Sequence, residues 1–189
     1  MKYKVGHFNP ATSLACAFLG QIEYNTAMYY SLVQLVGGIT GSLILWMSWF
    51  AISPVPTLLG ANLPNPDTRW WEGLFVEIVM SFSFHWVLLK LYTREKEEKV
   101  PYHSARILLY DEGSESNAFF AGTALLISNI ICIAVSGGSM NPARSFGPAV
   151  VAGVWKYHWM YWLGPYFGAL FAAYYLQLVK EKKKKRMIK

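Results

Sequence analysis

The stretch Ser136-Gly-Gly-Ser-Met-Asn-Pro-Ala-Arg-Ser-Phe-Gly-Pro-Ala149 carries the tripeptide Asn141-Pro142-Ala143, and the same tripeptide stands at Asn9-Pro10-Ala11 inside Gly6-His-Phe-Asn-Pro-Ala-Thr12. Each opens a short apolar run. Asn is a good N-cap, and Pro is at home in the first turn of a helix, where its missing N–H would be unpaired anyway. Each tripeptide therefore reads as a helix start. The runs that follow, Thr12 to Gly20 and Arg144 to Gly153, end at a glycine. About ten residues at ~1.5 Å each give roughly 15 Å of helix. A bilayer core is about 30 Å thick, so each run crosses half of it. Two half-helices entering from opposite faces put both Asn caps, and both positive dipole ends, at the midplane.

The rest of the chain fits a membrane setting. Its 189 residues are 54% hydrophobic and 16% aromatic with mean hydropathy +0.26, yet the net charge is +6. Charge is segregated rather than spread over a soluble surface. Four stretches approach the ~20 residues of a spanning helix: Thr26 to Phe50, Glu72 to Tyr92, Asn117 to Val135 and Tyr157 to Val179. Met1 to Pro10 lacks the apolar core of a signal peptide. Of the 17 Lys and Arg, all but Arg69, Arg144 and Lys156 fall before or between these spans on one side. The positive-inside rule then predicts that both termini and the 93–116 loop are cytosolic and that the Pro-rich Ser53 to Trp71 segment is outside. Re-entrant half-helices do not change the number of crossings, so four spans return both ends to one side. The expected organisation is a single channel domain over 1–189 with a basic cytosolic tail at 180–189. Its Lys182 to Arg186 run suits anionic lipid or a solvated stop-transfer flank.

At the two Asn-Pro-Ala segments the chain resembles the major intrinsic protein family, the aquaporins and glycerol facilitators. Further segments carry the resemblance: Gln34-Leu-Val-Gly-Gly-Ile-Thr-Gly41 looks like the family's third helix, Glu77 like the buried glutamate of its fourth, and His158-Trp-Met-Tyr-Trp-Leu-Gly-Pro165 like the start of its sixth. The flavour of 140–154 and 158–165 is nearest to plant tonoplast intrinsic proteins and the mammalian branch called aquaporin eight. The resemblance, over about residues 5 to 179, implies an all-α membrane protein: an aquaporin-like helical bundle with two re-entrant half-helices and four of the usual six spans. Family members place two spanning helices before the first half-helix, and Met1 stands only eight residues before Asn9. The first two helices are thus expected to be missing, whether through a fragment, a gene-model error or a real short form.

Function follows as an expectation. Water in single file needs replacement hydrogen bonds where it leaves bulk. Asn9 and Asn141 would supply amide donors, and the carbonyls of Gly6 to Phe8 and Gly137 to Met140 acceptors. Donors and dipole ends together disfavour cations and break a proton wire. Arg144, a charge one turn into an apolar half-helix, is expensive unless it lines an aqueous path or snorkels to the outer interface. By resemblance it is the filter arginine, with Gly138 and Asn129 at two further filter positions. Both are smaller than the Cys and His of strict water channels, which implies a wider neck. Asn129 is either a lining residue or an interhelical hydrogen-bonder, and the alignment can slip to Ile130.

Ser145, Ala149, Tyr161 and Trp162 match water channels rather than glycerol facilitators by the same resemblance. Glu77 is implied to accept from the loop before Asn141, and His7, beside the first motif, to support the pore. The implied cargo is water with possible ammonia or hydrogen peroxide, and the implied assembly a tetramer in the lipid bilayer, with its own copies or with other aquaporin subunits. The alternative is a non-conducting subunit that assembles with or regulates full-length relatives. Which membrane it occupies is open.

The remaining features read as structural. Gly37-xxx-Gly41 and Gly38-xxx-Ser42 allow close helix packing. Trp70, Trp71, Trp155, Tyr157, Trp159 and Tyr161 suit interfacial belts. Cys16, Cys132 and His85 suit packed positions. The spans hold no nucleophile with a base and no paired carboxylates, so no enzyme is expected. No metal site, cofactor or nucleic-acid partner is expected either.

Overall fold

A computed structural model describes residues 6–52, 57–97 and 112–187 of the chain, with the backbone alone at 93–97, 112–116, 183, 184 and 187. Among these residues six helices run in order: α1 (Pro10–Phe18), α2 (Tyr24–Ile52), α3 (Trp70–Glu97), α4 (Glu112–Ser136), α5 (Pro142–Ala152) and α6 (Met160–Met187). The two that begin at Asn-Pro are the short ones, with 9 and 11 residues. In both, the cap residue is extended (Asn9 φ −153°, Asn141 φ −154°) and its side-chain oxygen accepts from the first free backbone N–H groups. α5 stops at Gly153, whose φ of +71° only glycine adopts cheaply, with its N–H bonded to the Ala149 carbonyl.

α3 is the hub and packs on α4 and α6, while α1 fills the angle between α2 and α6 and α5 lies along α2. Small residues make these approaches possible. A Cβ placed on Gly164 or Gly168 of α6 would stand 2.5 Å from Glu77 Cβ or the Ile78 carbonyl of α3. Ala169, Ala172 and Ala173 of α6 then meet Ala11, Ala15 and Cys16 of α1 in a core without exposure. Both cysteines are free and buried. His85 is fully buried, and its Nδ1 lies 2.7 Å from the Ser81 carbonyl. A carbonyl only accepts, so Nδ1 carries the proton and Nε2 is left to accept from Thr12 Oγ1 at 3.0 Å. That bond ties α1 to α3.

Several expectations change. Among the described residues three helical segments, Tyr24–Ile52, Trp70–Tyr92 and Asn117–Ser136, are long and apolar enough to cross a membrane. The expected fourth span at 157–179 begins instead as an irregular turn, and its helix, α6, is long enough but less apolar. α6 turns its face of Gly and Ala toward α3 and α1, so it depends less on hydrophobicity against lipid.

α6 continues through the basic run to Met187, because Lys, Glu and Arg are good helix formers and cations favour a helix C-terminus. The 93–116 loop shrinks likewise, since α3 reaches Glu97 and α4 starts at Glu112. Lys2, Lys4, Lys99, Arg106 and Lys189 lie outside the described residues.

Of the two small-residue stripes on α2, one is used among the described residues. Gly38 sits against Ala143 and Gly147 of α5, whereas nothing approaches Gly37 or Gly41 within 4 Å. Tyr161 is not an interfacial residue, being fully buried behind the second motif.

Candidate functional site

The two motifs meet head to head and bond to each other. Asn9 Oδ1 accepts from Ala11 N at 2.9 Å, and its Nδ2 donates to the Met140 carbonyl at 2.9 Å. Asn141 mirrors it: Oδ1 accepts from Ala143 N at 3.0 Å and Arg144 N at 3.3 Å, and Nδ2 donates to the Phe8 carbonyl at 2.9 Å. The exchange depends on Phe8 and Met140, whose φ values of 52° and 50° are unusual for non-glycine residues and turn each carbonyl toward the opposite motif. A carboxamide has two N–H groups, and among the described residues each Asn uses one. The second stays available at the point where two helix N-termini converge.

A glutamate holds the second motif from behind. Glu77 of α3 is fully buried, and Oε1 accepts from Ser136 Oγ at 2.7 Å and Ser139 N at 2.8 Å, while Oε2 accepts from Met140 N at 2.9 Å. With the Cys132 thiol, 3.6 Å from Oε1, four donors meet what a buried carboxylate requires. The Tyr161 hydroxyl donates to the Ser136 carbonyl at 2.6 Å, and Ser139 Oγ hydrogen-bonds Ser145 Oγ. Ala149 is buried, and Trp162 sits in an aromatic group with Phe146 and His158. These residues brace the motif, and none of them lines the groove on its other side.

Open space lies on the other side. A groove of 880 Å³ runs along α2, lined among others by His7, Phe8, Gln34, Gly38, Asn141 and Arg144. At one end His7 Nδ1 is 3.0 Å from Ser13 Oγ, which also accepts from Gln34 Nε2 at 3.1 Å, and the imidazole packs between Tyr30 and Tyr92. At the other end Arg144 Nη1 donates to the Gly60 carbonyl at 2.7 Å and Asn62 Oδ1 at 2.6 Å. Arg144 is therefore tied to the 57–69 segment rather than reaching freely toward an interface.

Asn129 and Gly138 come together, since a Cβ on Gly138 would stand 3.0 Å from Asn129 Oδ1, but neither lines this groove. Asn129 Nδ2 donates back to the Leu125 carbonyl at 3.2 Å, and Ile130 is 63% exposed on the outside. The expected acceptors near Asn141 are partly taken: Gly137 and Gly138 carbonyls accept from Asn62, and Met140 O from Asn9.

Residues 4–176 match the model of the family described as "Major intrinsic protein". The chain belongs to the major intrinsic protein family. As a major intrinsic protein it is 30% identical over 169 residues to aquaporin-4 of Homo sapiens, an alignment covering 88% of this chain and 47% of that protein. It is 29% identical over 200 residues to aquaporin-8 of Mus musculus, covering 97% of this chain and 65% of that protein. The chain thus spans about half the length of aquaporin-4. The solved aquaglyceroporin from Plasmodium falciparum superimposes with a TM-score of 0.66 over 89% of this chain and 70% of that one, at 17% identity, a likeness of fold.

Asn62, Gly60 and Gly147 are the site residues that sequence reading misses. A lone Asn in a Pro-rich segment looks like any turn residue, and no local spacing marks its partners.

Proposed function

We propose that this chain supplies most of the wall of a passive membrane channel for water and small neutral solutes. The family is one of channels, not of enzymes, which supports the class. The observation that carries the reading is the reciprocal pair of Asn caps, each leaving one amide N–H at the meeting point of two half-helices. Two donors there turn the oxygen of a passing water toward them. Its hydrogens then point away along the file, so no continuous donor-to-acceptor wire forms for protons. The converging positive dipole ends and Arg144 raise the barrier to cations further. Ammonia and hydrogen peroxide fit beside water, both termini lie in the cytosol by the charge rule, and the assembly is a tetramer. A second reading is favoured by the open groove along α2: a subunit that conducts only when another chain closes that side.

The test is Arg144→Val in whatever preparation of the chain passes water, alone or mixed with a full-length relative. Water flux is expected to hold while proton or cation leak rises severalfold, because a fixed positive charge leaves a low-dielectric neck. Unchanged leak with unchanged water flux would reject the filter role.

Width is tested at Asn129. Gly138→Cys is unsuitable, since φ is +69° and a Cβ would press on Asn129 and Ile133 at 3.0 Å. Asn129 lies outside the groove along α2, so only if it borders the neck elsewhere should Asn129→His alone cut ammonia or peroxide flux severalfold more than water flux. No effect on either would remove Asn129 from the neck.

A further inference from the structure

We infer that Asn62 is the positioning residue of the Arg144 end of the groove: one buried amide that clamps the arginine, the second half-helix and the loop before it into a single unit. The inference rests on the channel reading only for its effect on selectivity; the clamp itself stands on geometry.

Asn62 is 4% exposed, although it comes from the irregular segment between α2 and α3. Its side chain spends its whole hydrogen-bonding capacity. Nδ2 donates to the Gly137 carbonyl at 2.7 Å and the Gly138 carbonyl at 2.9 Å. Oδ1 accepts from Arg144 Nη1 at 2.6 Å and Ser145 Oγ at 2.7 Å. Two donors and two lone pairs are all that a carboxamide has, so the group is fixed in orientation as well as place. A flipped amide would aim its N–H groups at a guanidinium and its oxygen at two carbonyls.

The neighbourhood is built around this contact. A Cβ on Gly137 would stand 2.5 Å from the Leu63 carbonyl, so the 57–69 segment seats directly on the motif loop. Among the described residues both hydrogen bonds of the Arg144 guanidinium run through Nη1, to Gly60 and Asn62. Arg144 also lines the groove, which leaves its other guanidinium nitrogens as the donors available to a permeant there. A guanidinium held at one nitrogen and presented by the others is a fixed charge; released, the long side chain samples several rotamers and no longer defines the neck.

The experiment uses the purified full chain in lipid, treated with phenylglyoxal, with modification of each arginine read by peptide mass spectrometry. Exposed Arg69 serves as internal reference. Loss of a charge-assisted acceptor should raise the Arg144:Arg69 modification ratio about tenfold in Asn62→Ala. Asn62→Asp keeps an oxygen for Arg144 and Ser145, and so should stay near the wild-type ratio, although the loop at 137–138 loses its donors. Asn65→Ala, in the same segment, should change nothing. A wild-type ratio in Asn62→Ala, or equal rises in all three variants, would overturn the clamp. If Asn62→Ala loses its helical circular dichroism, Asn62→Gln decides instead, because its longer arm displaces the oxygen: a rise of about threefold supports the clamp, and none overturns it.

In a water-passing preparation Asn62→Ala should also leak cations as Arg144→Val does, and Asn62→Asp should not. Failure of any wild-type preparation to pass water would sink the channel reading, while the modification ratio would still judge the clamp.

Discussion

Gly147→Ala is expected to detach α2 from α5 and to unfold the groove side of the molecule. A Cβ at residue 147 would stand 2.2 Å from the Gly38 carbonyl oxygen, 2.3 Å from its carbon and 2.9 Å from Ile39 N. All three are backbone atoms, so no rotamer change can make room, and the helices must separate by more than an ångström. Overpacking a tight contact costs about 1–3 kcal/mol and sometimes more, and here the loss propagates. α2 packs chiefly on α5 and α1, and only 6% of its most apolar window is buried. Little else holds it. Roughly 3 kcal/mol or more is therefore expected in reversible unfolding from mixed micelles. The same change at Gly37 or Gly41, where nothing lies within 4 Å, should be neutral or stabilise by up to about 1 kcal/mol through helix propensity. Equal destabilisation at all three positions would mean that the α2–α5 crossing is not the point of contact.

That contrast marks where sequence reading stops. The half-helices were legible because their chemistry is local: an Asn cap, a Pro in the first turn and a Gly at the end of α5 occupy adjacent positions and need no partner to be read. The spans were legible for the same reason, apart from α6, whose four tyrosines, Trp162 and Pro165 lower its hydropathy although its Gly and Ala face packs on neighbouring helices. The two glycine stripes on α2 look alike in sequence. Which one is used depends on Gly147, more than a hundred residues away. Glu77 was legible only by resemblance, because a lone acid in a span states a need for partners without naming them. Asn62 was invisible, since its four partners at 137, 138, 144 and 145 lie across the fold from an irregular segment that carries no periodicity.

The 189-residue chain by itself is expected to pass water no faster than bare lipid. A single-file pore needs a wall on every side, and the described residues leave the groove open along α2, with Phe8 80% exposed in it. The residues there are mixed in a way that suits neither environment. Val33 would accept acyl chains, but Arg144, Asn141 and the non-helical backbone at Gly6 to Phe8 would not. Each unsatisfied backbone group in hydrocarbon costs several kcal/mol, and a charged arginine facing lipid adds about 3 kcal/mol or more. Lipid therefore does not close this wall. The favourable outcomes are that the first motif shifts toward an aqueous interface, which breaks the Asn9–Met140 and Asn141–Phe8 bonds, or that helices of another chain cover the groove. Stopped-flow shrinkage of liposomes separates these, with the chain reconstituted alone and together with a full-length relative made non-conducting. Background flux alone and restored flux in the mixture would support a composite wall, and background flux in both would favour the displaced motif. Fast flux of low activation energy from the chain alone would overturn the expectation, and would mean that copies of the chain close each other's grooves.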